Sequence, residues 1–137
     1  MHDRWVIPDA SHSLRIARPT PDLARARMFW VDALGMAELW ARDADARGHA
    51  LLMVGFPAAR WHLEFVEDLA SARSARPSDE DQLVLYLGEP PEPDLLERLT
   101  AAGGTRVPGN DYWAQWGVTV VDPDGYRLVL SHRTWDV

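Results

Sequence analysis

The side chains best suited to chemistry stand in the segment Trp61-His62-Leu63-Glu64-Phe65. His62 and Glu64 are two residues apart in a stretch that alternates like a strand, so both project to one side of it. A carboxylate beside an imidazole can exchange protons with a bound molecule, which makes Glu64 and His62 the candidate catalytic groups. The same pair is also two donors of a partial metal site, although a metal needs a third. His2, His12, His49 and His132 do not supply one, because they fall at the ends of the chain or of the alternating segments, or in a separate strand. The chain has no Cys, and all 14 of its basic residues are Arg. Thiol nucleophiles, thiolate metal sites, Schiff-base lysines and a P-loop lysine are therefore excluded. A second cluster is Asn110-Asp111-Tyr112-Trp113-Ala114-Gln115-Trp116, which reads as a loop carrying three aromatic rings. Exposed aromatic surface of that extent points to something it covers, whether a ligand, a partner or the sheet beneath.

Composition sets the frame for these groups. A chain of 137 residues fits a single domain spanning residues 1–137. Its 21 acidic against 14 basic residues give a formal net charge of −7, which argues against nucleic acid and anionic membrane as partners. The longest apolar stretch, Ala50 to Phe56, is too short to span a bilayer. Residues 1–10 lack the apolar core of a signal peptide, so the expected location is cytoplasmic.

The elements that must position the two clusters follow one pattern twice. Leu14–Ala17 alternates as a strand and stops at Pro19 and Pro21. Asp22 is placed to cap a helix in which Leu23, Ala26, Trp30, Ala33 and Leu34 form one apolar stripe, ended by Gly35. Strands follow at Met36–Ala41, His49–Val54 and Trp61–Val66. Residues 67–80 are small and charged, with no core-facing stripe, and read as a linker. The second round opens at Gln82–Leu87 and continues with a helix starting at Pro93, bearing Leu95, Leu96, Leu99 and Ala102. Strands at Thr105–Val107, Gly117–Val121 and Tyr126–Ser131 complete it, the last two joined by the tight turn Asp122-Pro123-Asp124-Gly125. The fold class is thus α+β, two βαβββ modules at about 12–66 and 82–132. The separation from Arg15 to Glu64 is 49 residues and that from Gln82 to Val129 is 47, as a duplicated unit requires.

Three motifs carry a family resemblance across residues 12–132: RPTPDLARARMFWVDALGM, WHLEF and VTVVDPDGYRLVL. In this order and spacing the chain resembles the vicinal oxygen chelate superfamily, the glyoxalase, bleomycin-resistance and extradiol dioxygenase group. The resemblance implies sheets that curl around a cleft with helices on the outer faces, and a homodimer. It also implies four metal-ligand positions, on the first and last strand of each module, which fall here on Arg15, Glu64, Gln82 and Val129. Only Glu64 suits that role. Arg15 has no acceptor, Gln82 is a weak neutral donor and Val129 has nothing to offer. No cofactor and no divalent metal are therefore expected. Phe29 and Trp30 match the family's aromatic pair on the first helix and are expected in the core.

If those positions face the cleft, alternation places Ala17, His62, Val66, Val84, Tyr86, Gly117, Thr119, Val121, Arg127 and Ser131 on the same side. The opposite set, from Leu14 and Ile16 through Leu63, Phe65, Leu83, Leu85 and Leu87 to Tyr126, Leu128 and Leu130, is far more apolar and belongs under the helices. Arg15 and Glu64 read as an ion pair that stands in for the metal. The sharper alternative makes Glu64 a general base and Arg15 an anion clamp, but a neighbouring guanidinium favours the ionised, weakly basic carboxylate. The functional expectation is a metal-independent binder of a small organic ligand, using Arg15, His62, Glu64, Gln82, Tyr86, Tyr112, Trp113, Trp116, Thr119 and Arg127. The alternative is a metal-dependent lyase, isomerase or dioxygenase with an unusual ligand set. Whether the modules pair within one chain or between two is left open by the residues.

Overall fold

The computed structural model describes residues 4–135. It contains two four-stranded mixed sheets, ordered β1-β4-β3-β2 and β5-β8-β7-β6. The first is built from β1 (Leu14–Thr20), β2 (Ala37–Arg42), β3 (Leu51–Gly55) and β4 (Trp61–Glu67), and the second from β5 (Gln82–Tyr86), β6 (Thr105–Val107), β7 (Gly117–Val121) and β8 (Arg127–Ser131). In each, the first strand runs parallel to the last and the others are antiparallel. The two βαβββ modules are thus present, as two sheets that among the described residues share no hydrogen-bonded strand pair and do not close.

Helix α1 (Leu23–Arg27) starts where Asp22 accepts from the Ala24 and Arg25 amides, and runs directly into a π-helical turn at Met28–Ala33. The wider turn, closed by Leu34 N–H to Phe29 C=O at 3.0 Å, adds Phe29 to the apolar stripe read from the sequence. Phe29 and Trp30 are both fully buried, 5.0 Å apart edge to face. Helix α3 (Pro93–Ala101) starts at its proline and buries Leu99. Two segments are helical where the sequence predicts a linker and a loop. The linker contains helix α2 (Leu69–Ser74), nucleated by Asp68 accepting from the Ser71 amide at 3.1 Å. None of its residues is buried, so no apolar stripe announced it. The aromatic segment is likewise a helix, α4 (Asp111–Trp116), capped by Asn110 on the Trp113 amide. Leu14 and Leu87, expected under the helices, are more than two-fifths exposed, Leu14 as the first residue of β1 and Leu87 as the residue that follows β5.

The placement of α1 decides how the modules meet. Trp30 packs on Phe65 of β4, with centroids 5.9 Å apart. The next-door Phe29 instead reaches the second module: a side chain built on Gly104 would lie 2.8 Å from both Phe29 Cε2 and Val120 Cγ1 on β7. The two sheets therefore lie on either side of α1, their helix-facing sides turned toward one another. Leu52, Val54, Leu63 and Phe65 join Leu99, Val120, Leu128 and Leu130 in one core. Gly104→Ala, whose Cβ would also stand 2.7 Å from Leu99 O, is expected to destabilise the chain by about 1–3 kcal/mol, read by urea denaturation.

A charged node closes the same junction. Arg18, on the helix-facing side of β1, stacks 4.4 Å over Tyr126 and is almost wholly buried. Asp122 accepts at Oδ1 from the Asp124 and Tyr126 amides, which shapes the turn that Gly125 completes at φ +95°. Its Oδ2 and Arg18 Nη1 are buried without a hydrogen-bond partner among the described residues. Burial pushes the Asp122 carboxyl up to about 6, offset in part by the Tyr126 amide, and the same desolvation lowers Arg18.

Candidate functional site

The parallel register of β1 and β4 sets Arg15 opposite His62 and Ala17 opposite Glu64. Leu63 and Phe65 anchor β4 in the core with no exposure, which fixes His62 and Glu64 on the other face. Arg15 Nε donates to His62 Nε2 at 3.1 Å, and Nη1 lies 3.4 Å from Glu64 Oε2. The Glu64 side chain is 12% exposed and that of Arg15 50%, so the guanidinium roofs the carboxylate. Arg15 can only donate, so this bond occupies the lone pair of His62 Nε2. Proton transfer at Nε2 would require Arg15 to leave. A pair this open to water is worth about 1 kcal/mol at most, so it organises the face more than it stabilises the fold.

The same face extends across the sheet to residues that alternation did not reveal. Glu64 lies opposite Met53 on β3, and Met53 opposite Trp40 on β2. A register shift between Glu38 and Trp40 places Trp40, rather than Leu39, in that row. Trp40 is 48% exposed. Period-two counting from Ala37 assigns the position to Leu39, so only the bulge brings an indole beside the Arg15–His62–Glu64 cluster.

The second module's predicted residues are placed differently. Gln82 lies opposite Arg127, and both turn to Asp79: Gln82 Nε2 donates to its carbonyl at 3.0 Å and Arg127 Nη2 to its carboxylate at 3.0 Å. Thr119, Val129 and Ser131 do face away from the core helices, but they are buried. Around them, Trp113 on α4 lies over Gly117, where an added Cβ would meet Trp113 Cε3 at 3.4 Å and Val129 Cγ1 at 3.2 Å. Thr119, expected to meet a ligand, is thus shut off from solvent. Tyr86 and Tyr112 flank Trp113 at 6.2 and 4.8 Å, and Trp135 joins Tyr86 at 5.9 Å. Arg133 stacks 4.8 Å over Trp116. Tyr86, Tyr112 and Trp116 keep a third or more of their surface exposed. Trp113→Ala is therefore expected to destabilise the chain by about 2–3 kcal/mol, and Trp116→Ala by less than about 1 kcal/mol, a ranking readable by thermal melts.

Among the described residues, no hydrogen bond or ion pair joins the Arg15 cluster to the second module's face, and none places three or more His, Asp or Glu side chains together for a metal. The donors offered to a divalent ion are one carboxylate and one imidazole, both engaged by a guanidinium, which does not fit such an ion.

Residues 14–66 match the YycE-like N-terminal domain and residues 80–132 the YycE-like C-terminal domain. The chain belongs to the YycE-like family. It is also 32% identical over 121 residues to the uncharacterized protein YycE of Bacillus subtilis (strain 168), covering 87% of this chain and 86% of that one. The crystal structure of a YycE protein of unknown function from Bacillus subtilis superposes with a TM-score of 0.74 at 29% identity, over 90% of this chain and 91% of the other. Two more distant structures share the fold. One is the trypanothione-dependent glyoxalase I of Leishmania major, with a TM-score of 0.64 at 19% identity over 89% of this chain and 86% of its own. The other is TnmS3, an antibiotic binding protein from Streptomyces sp. CB03234, with a TM-score of 0.60 at 23% identity over 96% and 100%. This YycE-like chain is accordingly a member of the vicinal oxygen chelate superfamily, with the two-module α+β fold its motifs implied. No helix among the described residues is long and apolar enough to cross a membrane.

Proposed function

We propose that this YycE-like protein is a metal-independent binder of a small organic ligand, received on the face formed by Arg15, His62, Glu64, Met53 and Trp40. The observation that carries the reading is the Arg15 guanidinium, which lies against His62 and Glu64 where a metal would need their lone pairs free. What the face offers instead is a half-exposed guanidinium with unused N–H donors, and across the Met53 thioether on the same face a half-exposed indole. That combination suits a ligand with one polar or anionic group and one flat apolar part.

A single chain presents only half of such a site, because α1 holds the two polar faces apart. The cleft is then completed by a second copy, whose Tyr86, Tyr112 and Trp116 face the partner's Arg15 cluster. Light scattering on the purified protein should give twice the 15.5 kDa chain mass. Metal analysis of protein prepared without chelator should find no stoichiometric transition metal; finding one would favour a metal-dependent enzyme. In a thermal-shift screen of small aromatic acids and amides, Arg15→Ala and Trp40→Ala should each weaken a hit by about tenfold, with less than about 1 kcal/mol lost in stability. Undiminished binding in both variants would remove this face as the site.

A further inference from the structure

We propose a second binding site, for a small monocarboxylate with an apolar body, in the cavity between α1, the linker helix α2 and the Asp122–Gly125 turn. The cavity has a volume of about 260 Å³. That is just below the roughly 300–1,000 Å³ of pockets for drug-sized ligands, so its occupant is smaller than those. Pro19, Pro21 and Pro123 line it with backbone whose φ is fixed, and Leu69 and Ala72 of α2 add an apolar wall. The wall therefore exists before any ligand arrives.

Two guanidiniums supply the anion-binding chemistry. Arg25 Nη2 is held by Asp124 Oδ1 at 2.6 Å, while among the described residues its Nη1 makes no hydrogen bond and its buried Nε has no partner. Arg73, from the last turn of α2, lines the same cavity with no ion pair or side-chain hydrogen bond among the described residues. Two positive groups against one carboxylate make this a locally cationic spot on a chain of net charge −7. The carboxylate of Asp124 remains in the wall, where it opposes a dianion such as a phosphate monoester. A monoanion can take the free N–H donors of Arg25 and Arg73 while its body rests on the prolines and Leu69. The site also gives the linker a role: α2 buries none of its residues, yet it brings Arg73 to the cavity that Arg25 lines. This site is separate from the Arg15 face and independent of how that face is read.

The test is an NMR titration of ¹⁵N-labelled full-length protein with benzoate, with benzamide as the neutral isostere. Benzoate should shift the amides of Ala72, Arg73, Asp124 and Gly125 saturably, and benzamide should bind about tenfold more weakly or worse. Arg73→Ala should weaken benzoate by a similar factor, about tenfold, while leaving the rest of the spectrum in place, because Arg73 is exposed and unpaired. Equal binding of benzamide, undiminished binding in Arg73→Ala, shifts centred on Arg15, His62 and Glu64, or no saturable shift at all would each overturn the proposal.

Discussion

Trp30→Ala is expected to lower the unfolding free energy by about 3–5 kcal/mol, the range for deleting a large buried aromatic. Trp30 has 1% of its surface exposed, touches Phe29 edge to face and packs on Phe65, so its removal leaves a void where α1 meets the first sheet. Collapse around that void is opposed from the other side, because the adjacent Phe29 is wedged against Gly104 and Val120. Trp30→Phe should cost less, about 1–2 kcal/mol, for two reasons. It keeps one ring in place, and it removes an indole N–H that is buried without an acceptor. Urea denaturation of the three proteins would measure the order. Equal losses in both variants would show that the ring retained by phenylalanine contributes nothing to the packing between the modules.

The second large effect is a pH dependence centred on Asp122. Its carboxyl is raised by burial from 3.8 to about 6 in the folded protein. The folded state therefore holds a proton between those values that the unfolded chain releases. Stability from this group is complete below pH 3.8 and is lost as pH rises through about 6. A shift of that size corresponds to about 3 kcal/mol. Asp9, Asp45 and Asp68 are lowered by hydrogen bonds and act in the opposite direction, so the raw pH profile mixes signs. Comparison with Asp122→Asn isolates the one group. From pH 4 to 7 the native chain should lose about 2 kcal/mol relative to the variant, whose amide does not titrate. Parallel pH profiles would contradict the buried position of Asp122. The variant keeps an oxygen for the Asp124 and Tyr126 amides, so the turn itself should survive.

Both effects arise at the junction of the modules, and that junction was the part least legible in the sequence. Local signals carried the elements well. Asp22, Pro93 and Gly125 stop or start chains of hydrogen bonds by their own geometry, and the alternation in Trp61–Val66 needed only period two to separate Leu63 and Phe65 from His62 and Glu64. Two helices carry only weak local signals: α2 has a cap but no buried stripe, and α4 is a single capped turn and a half of polar and aromatic residues. Trp40 escaped for a different reason, since one inserted residue in β2 exchanges the two faces of the strand beyond it.

The sequence by itself determined the two βαβββ modules, the presence of Arg15, His62 and Glu64 on one face, and the poor metal chemistry of Arg15, Gln82 and Val129, because strand periodicity and side-chain donors are local properties. Tertiary structure alone decided that Phe29 and Trp30 reach opposite sheets, that the two polar faces of one chain point apart, that Trp113 covers Thr119 and Val129, and that Arg25 and Arg73 share a cavity. Those outcomes depend on residues far apart in the chain packing without voids, which no single segment encodes.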